Sequence, residues 1–134
     1  MPALSDNARD LFSRAIPGWA TVIDDDGVPH SSVVWVDVDG DEVLFNTAVG
    51  RVKERFLQDN PTVSVSVLNP EHAWHWASVS GPASLSTDDG DRVIDSLAKK
   101  YLDADSYPFR KEGEQRVTVR VKVDRLLEIA PDGS

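Results

Sequence analysis

Valine at every second position is the feature that most limits what this chain can become. Val63, Val65 and Val67 alternate with Ser64 and Ser66, and Val117, Val119, Val121 and Val123 alternate with Arg116, Thr118, Arg120 and Lys122. A period of two gives an extended chain one apolar and one polar face, so these runs read as half-buried strands. Ala77, Val79, Ala83 and Leu85 alternate mainly with serine across Gly81-Pro82 in the same way. Further upstream, Asp26-Gly27 and Asp39-Gly40 separate β-branched runs as hairpin signals. They predict three antiparallel strands over Trp19–Ile23, His30–Asp37 and Glu42–Thr47. The final valine strand has room to continue toward Ile129, and the tail Pro131–Ser134 reads as loose.

Helical spacing occurs in three places. Leu4, Ala8, Leu11, Phe12, Ala15 and Ile16 follow it, with Ser5 and Asp6 as cap candidates and Pro17-Gly18 as the stop. Gly50 to Asn60 reads as a brief helix closed by Asn60-Pro61. Thr87 and the acids Asp88, Asp89 and Asp91 favour a third start, and Val93, Ile94, Leu97, Ala98 and Tyr101 give that helix an inward stripe ending near Asp103–Pro108. Six strands with helices inserted singly predict a mainly β protein with helices, a six-stranded antiparallel barrel that is closed or nearly closed. The absence of a repeat, linker or composition break makes residues 1–134 one domain. Val33-Val34-Trp35-Val36 places apolar side chains on both faces of one strand, so the outer face calls for a second subunit or a bound flat ligand.

Composition removes several functions. The chain has no cysteine, which excludes disulfides, thiolate nucleophiles and cysteine zinc sites. A net charge of −9 repels phosphate backbones and anionic lipids, so neither nucleic acid nor membrane is an expected partner. No apolar run is long enough to span a bilayer and the polar start is unlike a signal peptide, which makes a cytoplasmic location the expectation.

Against that acidic background, Arg51, Lys53 and Arg55 crowd the first turns of a helix, where the macrodipole disfavours cations. An anion such as phosphate, met by both the cations and the free N–H groups, accounts for the arrangement. On a helical wheel Val52, Phe56 and Leu57 mark the inward face, and Lys53 falls between Phe56 and Leu57. Arg51 and Arg55 flank that face, to clamp the same anion or to pair with Glu54 and nearby aspartates. The alternative is a lysine that snorkels to solvent and arginines that balance acidic neighbours.

The stretch HSSVVWVDVDGDEVLFNTAVGRVKERFLQDNPTVSVSV resembles the core signature of the pyridoxamine 5′-phosphate oxidase-like superfamily, the split-barrel flavin and deazaflavin oxidoreductases. It is similar in particular to the branch described as coenzyme F420-dependent. The order of a tryptophan strand, an acidic-glycine hairpin, a strand ending in Asn-Thr, Gly-Arg-x-Lys, Asn-Pro and a valine strand carries the likeness. The match is strong from His30 to Leu85 and looser elsewhere.

The resemblance implies a fold of the FMN-binding split-barrel type and assigns Arg51 and Lys53 of the Gly50-Arg51-x-Lys53 segment to a cofactor phosphate. Asn46 and Thr47 then lie beside the phosphate or polyol chain, and Val33, Val34 and Trp35 line the flavin or deazaflavin ring. A homodimer with its sites at the interface is implied, with Trp74, Trp76, Arg116 and Arg120 as candidates for the wall contributed across it. Where relatives often carry Asn-Leu after the basic pair, this chain has Phe56-Leu57.

The implied activity is hydride transfer from reduced F420 to a small unsaturated or quinone-like substrate. The alternatives are an FMN-dependent oxidase or reductase of the same fold and a non-catalytic cofactor- or tetrapyrrole-binding protein. Ser32 and Ser78 are candidate proton sources, and no general acid is singled out. On a strand His72 and His75 point to opposite faces, so the His-Ala-Trp-His-Trp cluster predicts no metal site. His30 reads as a surface or pocket-edge residue, no nucleophile elbow supports a hydrolase, and Arg116, Arg120 and Lys122 read as a solvated strand face.

Overall fold

The computed structural model describes residues 4–133. Its elements in chain order are α1 (Asp6–Ser13), β1 (Gly18–Ile23), β2 (Pro29–Val34), β3 (Asp37–Asp39), β4 (Glu42–Ala48), α2 (Val52–Asp59), β5 (Thr62–Leu68), β6 (Trp76–Ser86), α3 (Gly90–Leu102), β7 (Arg116–Lys122) and β8 (Arg125–Ile129). Met1–Ala3 and Ser134 lie outside the described residues, so the polar start and the end of the tail are expectations only; Gly133 N–H closes a turn onto the Ala130 carbonyl.

The strands form one antiparallel sheet in the order β2-β1-β5-β6-β7-β4-β3, with β8 on β6. This corrects the expected count of six strands and the closed form of the expected barrel: eight strands occur among the described residues, and their pairing path does not close. The path's two ends, β2 and β3, are consecutive in the chain.

Both extra strands come from interruptions. The run expected to span His30–Asp37 breaks at Trp35-Val36 because side chains of α3 take over the Val36 backbone. Its N–H donates to Tyr101 Oη at 3.0 Å, and its carbonyl accepts from Lys100 Nζ. Tyr101 Oη in turn donates to the Ile16 carbonyl at 2.6 Å, so one hydroxyl ties the strand break to the segment after α1. The last strand breaks at Val123-Asp124, because β7 pairs with Ala83–Ser86 of β6 and β8 with Trp76–Ser80. Asp124 N–H donates to the Ser80 carbonyl at the step between them. Gly81 permits the step, since a Cβ there would lie 1.8 Å from the Lys122 carbonyl oxygen.

One core fills the inner face of the sheet, where Val22, Phe45, Val65, Val79 and Val119 meet Phe12 of α1. The helix begins as its sequence predicts, with Ser5 Oγ accepting the Ala8 N–H at 3.0 Å, although Ala15 is exposed. A second cluster, Leu44, Val93, Ile94 and Leu97, seats α3 on the other side of β4, with Trp35, Tyr101 and Tyr107 packed against it. No helix among the described residues is long and apolar enough to cross a membrane.

A cationic cavity between two strand ends and two helices

The end of β2, the end of β4 and the start of α2 converge on a cavity of about 200 Å³. Val33, Val34 and Trp35 supply one wall, Asn46 and Thr47 another, and Arg51 and Lys53 the rim. Gly50, with φ +88°, lines an adjoining depression together with Arg51 and Lys53. The eight residues that the resemblance assigns to the cofactor are therefore brought together around one cavity and its neighbour.

The start of α2 departs from the wheel. Val52 is exposed and Glu54 is buried, because Glu54 Oε1 turns back to accept the Gly50 N–H at 2.8 Å. Arg51 is the N-cap without a side-chain cap bond, leaving the first N–H groups of the helix without that common partner. Arg55 is exposed and lines neither depression, so it does not share the anion clamp expected of it; nor does Arg51 pair with Glu54, reaching Glu114 Oε2 instead at 3.3 Å.

Lys53 is half-buried and donates to Ser32 Oγ at 2.8 Å; no ion pair forms at it among the described residues. Burial, reinforced by the Arg51 charge, lowers its pKa from the ordinary 10.5. Thr47 is 1% exposed and its Oγ1 has no hydrogen-bond partner among the described residues. Both groups carry unmet demand for a polar ligand.

Arg116 of β7 completes the cationic lining from within the same chain, which corrects its reading as part of a solvated strand face. It is 4% exposed, donating from Nε to Asn46 Oδ1 at 2.9 Å and from Nη1 to Glu114 Oε1 at 3.0 Å. Burial raises the Glu114 pKa, but the hydrogen bond and charge of Arg116, joined by Arg51, outweigh it and hold the carboxyl below its usual range. Gly90 presses on this strand, since a Cβ there would lie 2.0 Å from the Arg116 carbonyl oxygen, and its own carbonyl accepts from Asn46 Nδ2 at 2.9 Å. The cavity thus carries three cations and no carboxylate in its lining, within a chain of net charge −9.

Four lining residues are not legible from sequence as site residues. Ile94 and Leu97 belong to the stripe that reads as the core face of a helix, and Tyr107 and Phe109 lie in the segment where that helix dissolves. Tyr107 stands edge-on to Trp35 at 6.1 Å between centroids and covers the Arg116 guanidinium at 5.0 Å. Two aromatics flanking Pro108 in an otherwise polar stretch are the signal that could have found them.

Other candidates lie elsewhere. Arg120 is held by Asp39 and Asp89 at 2.9 and 2.7 Å, away from this cavity. Trp74, 70% exposed, and Trp76 do not line it, and Ser78 bonds to Ser66 Oγ on the outer face of the sheet. His72 and His75 lie in the turn before β6, not on a strand. His75 is buried, its Nε2 donating to Asn7 Oδ1 at 2.6 Å, and no cluster of three or more metal-ligating side chains occurs among the described residues. His30 sits at the edge of the adjoining depression, 2.8 Å from Asp24.

A sequence profile of the family described as pyridoxamine 5′-phosphate oxidase matches residues 4–130. No curated protein matches the chain. Among solved structures it is similar to an F420 reductase, with TM-score 0.80, 22% identity, and coverage of 92% of this chain and 98% of that one. A conserved hypothetical protein from Mycobacterium tuberculosis gives TM-score 0.73 at 22% identity, covering 92% and 82%. General Stress Protein 26 from Bacillus anthracis gives 0.67 at 18%, covering 90% and 89%. At these identities the likeness is one of fold.

Proposed function

The chain belongs to the pyridoxamine 5′-phosphate oxidase family, and from that premise we propose that it is an oxidoreductase using coenzyme F420, its 134 residues forming one cofactor-binding domain. The observation that carries this reading is the excess of positive charge in a cavity without a lining carboxylate, with Arg51 and Lys53 at its rim beside the unpartnered Thr47 hydroxyl. Such a donor set fits a phosphorylated ligand, and the apolar wall of Val33, Val34 and Trp35 fits a flat ring. The likeness to an F420 reductase supports a deazaflavin as that ring.

When bound, the reduced cofactor supplies a hydride to a small unsaturated or quinone-like acceptor. Arg51 and Lys53 hold the phosphate, Thr47 donates its free hydroxyl, and Asn46 fixes Arg116. The apolar wall orients the ring and excludes water.

A second copy of the chain completes the site. A cavity of about 200 Å³ falls below the roughly 300–1,000 Å³ usual for small-molecule sites, so one chain supplies part of the enclosure. Val33 lines the cavity yet is 54% exposed, and it continues into an outward row through its strand partners Trp19, Ser66, Ser78 and Leu127. Trp19 and Leu127 in that row are 54% and 66% exposed, a surface suited to self-association.

Paired equilibrium titrations of the purified protein with F420 and FMN test the reading. Tight F420 binding with weaker FMN binding, reduced about ten-fold or more by Lys53→Ala without loss of the thermal transition, is the expected result. A preference for FMN moves the protein to flavin chemistry. Binding of neither withdraws the cofactor reading, and tight binding without hydride transfer to any acceptor withdraws the enzyme.

A further inference from the structure

Arg116 and Lys53 line the same cavity but meet different surroundings. Lys53 and Arg51 stand at the start of α2, whereas Arg116 comes from β7 with its backbone pressed by Gly90. Glu114 separates the two guanidinium groups, taking Arg116 on Oε1 and Arg51 on Oε2. A single carboxylate shared between two arginines leaves positive charge over. At Arg116, Nε and Nη1 are committed to Asn46 and Glu114, and Nη2 has no hydrogen-bond partner among the described residues. The guanidinium is 4% exposed and lines the cavity, and Nη2, unlike Thr47 Oγ1, is not sealed from solvent, so this arm is open to a ligand that enters the cavity.

Its surroundings define what that arm can meet. The Tyr107 ring lies over the guanidinium carbon at 5.0 Å, and Trp35 stands at right angles to Tyr107, its own plane stacked on Tyr101 at 5.4 Å and 12°. Phe109 packs edge-on to Tyr107 at 5.8 Å and is 63% exposed. The result is an aromatic corner with one fixed donor at its apex. A freely hydrated phosphate suits it less than an anionic oxygen carried on a planar, conjugated group, which can use the donor and the ring surfaces together.

We propose that Arg116, covered by Tyr107 and held by Glu114 and Asn46, is a second anion pole that selects acceptors bearing a carboxylate on a planar conjugated framework. This deepens the oxidoreductase reading by naming a class of acceptor, and it rests on that reading only for the word acceptor. The segment of residues 103–115 is pinned to α3 from outside the cavity. Tyr107 N–H donates to Asp95 at 2.8 Å, and Arg110 bonds Asp91 and Asp95 at 2.6 Å each. The corner is therefore preorganised by residues that do not touch the ligand.

Calorimetric titration of the full chain with benzoate and with benzamide, at low ionic strength, tests the pole without cofactor. Benzoate is expected to bind at least about ten-fold more tightly than its neutral amide. Arg116→Gln levels the two, whereas Lys53→Ala leaves the ratio within about two-fold. Arg116→Lys preserves a charge for Glu114 should the glutamine variant fail to fold, and it lowers benzoate affinity by at least about five-fold while leaving benzamide unchanged, because the unbonded arm of the fork is lost. Equal binding of acid and amide by the unmodified protein, or a preference that survives both substitutions, overturns the proposal. So does an F420 or FMN affinity that falls with Arg116→Gln as steeply as with Lys53→Ala, since Arg116 then serves the cofactor. An Arg116-dependent preference for benzoate in a protein that binds neither F420 nor FMN upholds the pole and removes the cofactor reading.

Discussion

Replacing Thr47 by valine should make the unliganded protein more stable and its ligand complex weaker. Thr47 is 1% exposed and its Oγ1 has no partner among the described residues, so the fold carries an unsatisfied hydroxyl. Mutational data place the cost of such a group at about 1–3 kcal/mol, and valine removes it at nearly constant volume. An unfolding entropy of about 2.1 cal/mol/K per residue over 134 residues gives about 0.28 kcal/mol/K, so each kcal/mol moves Tm by about 3.5 °C. The expected rise is about 3–10 °C by differential scanning calorimetry of the ligand-free protein. Titration with F420 or FMN should show affinity reduced about five-fold or more, the loss of one hydrogen bond to a charged or polyol group. Thr47→Ser keeps the hydroxyl and removes a methyl group; it should retain affinity and lose about 1 kcal/mol of stability. A Thr47→Val protein that melts lower than the parent, or binds the cofactor unchanged, refutes the claim that this hydroxyl is held in reserve for a ligand.

Three further outcomes follow from particular contacts. Tyr101→Phe leaves the Val36 N–H and the Ile16 carbonyl without their partner and should cost about 1–3 kcal/mol in urea unfolding; a change under about 0.5 kcal/mol contradicts the role given to that hydroxyl. The Lys53 pKa lies below 10.5 in the free protein, and a bound anion favours the charged lysine, so cofactor affinity should decline with rising pH before free lysine would titrate. Lys53→Arg, which stays charged, should move that alkaline decline to higher pH, and identical pH profiles for the two proteins count against phosphate contact. Light scattering should report a dimer at micromolar concentration and a monomer for Trp19→Glu, whose 54% exposed ring sits in the outward apolar row; a monomeric parent protein rules out completion of the site by a second copy.

The parts of this fold that are legible in sequence are those governed by local periodicity. Valine alternation places β5 and β7, and Asp-Gly pairs place both early hairpins. The strand break at Trp35-Val36 is not legible, because the groups that satisfy Val36 are Tyr101 and Lys100, both remote in sequence, and Tyr101 reads as part of a helix stripe. The wheel of α2 fails for a related reason: Glu54 is turned inward by the Gly50 N–H, and the helix of eight residues takes its phase from that bond more than from Val52. Arg51 and Lys53 stand out because their type opposes the helix dipole, a local conflict visible without coordinates. Arg116 does not, because on an alternating strand an arginine is what the solvent face normally carries.

The conflicts that remain after folding gather mainly at the cavity. Arg120 is satisfied by Asp39 and Asp89, Arg110 by Asp91 and Asp95, and the Thr21 hydroxyl by Ser31. Thr118 Oγ1 and Asp89 Oδ1 also lack a hydrogen bond of normal geometry, but they are neighbours, and Arg120 first and Thr118 after it hold the Asp89 carboxyl below its usual range. The same side-chain types at the cavity have no such answer: Thr47 Oγ1 is unpartnered, Lys53 is dehydrated with a serine in place of a carboxylate, and Arg116 keeps a guanidinium arm unbonded. A sequence that gives Lys100, Arg110 and Arg120 carboxylate partners and leaves these three groups without full ones points to selection on a ligand more than on the fold. Their shared direction also distinguishes the ligand. Lys53 and Arg116 are donors only and ask for negative charge, and the Thr47 hydroxyl can donate to the same group, which is the chemistry of an anionic cofactor and of an anionic substrate bound beside it.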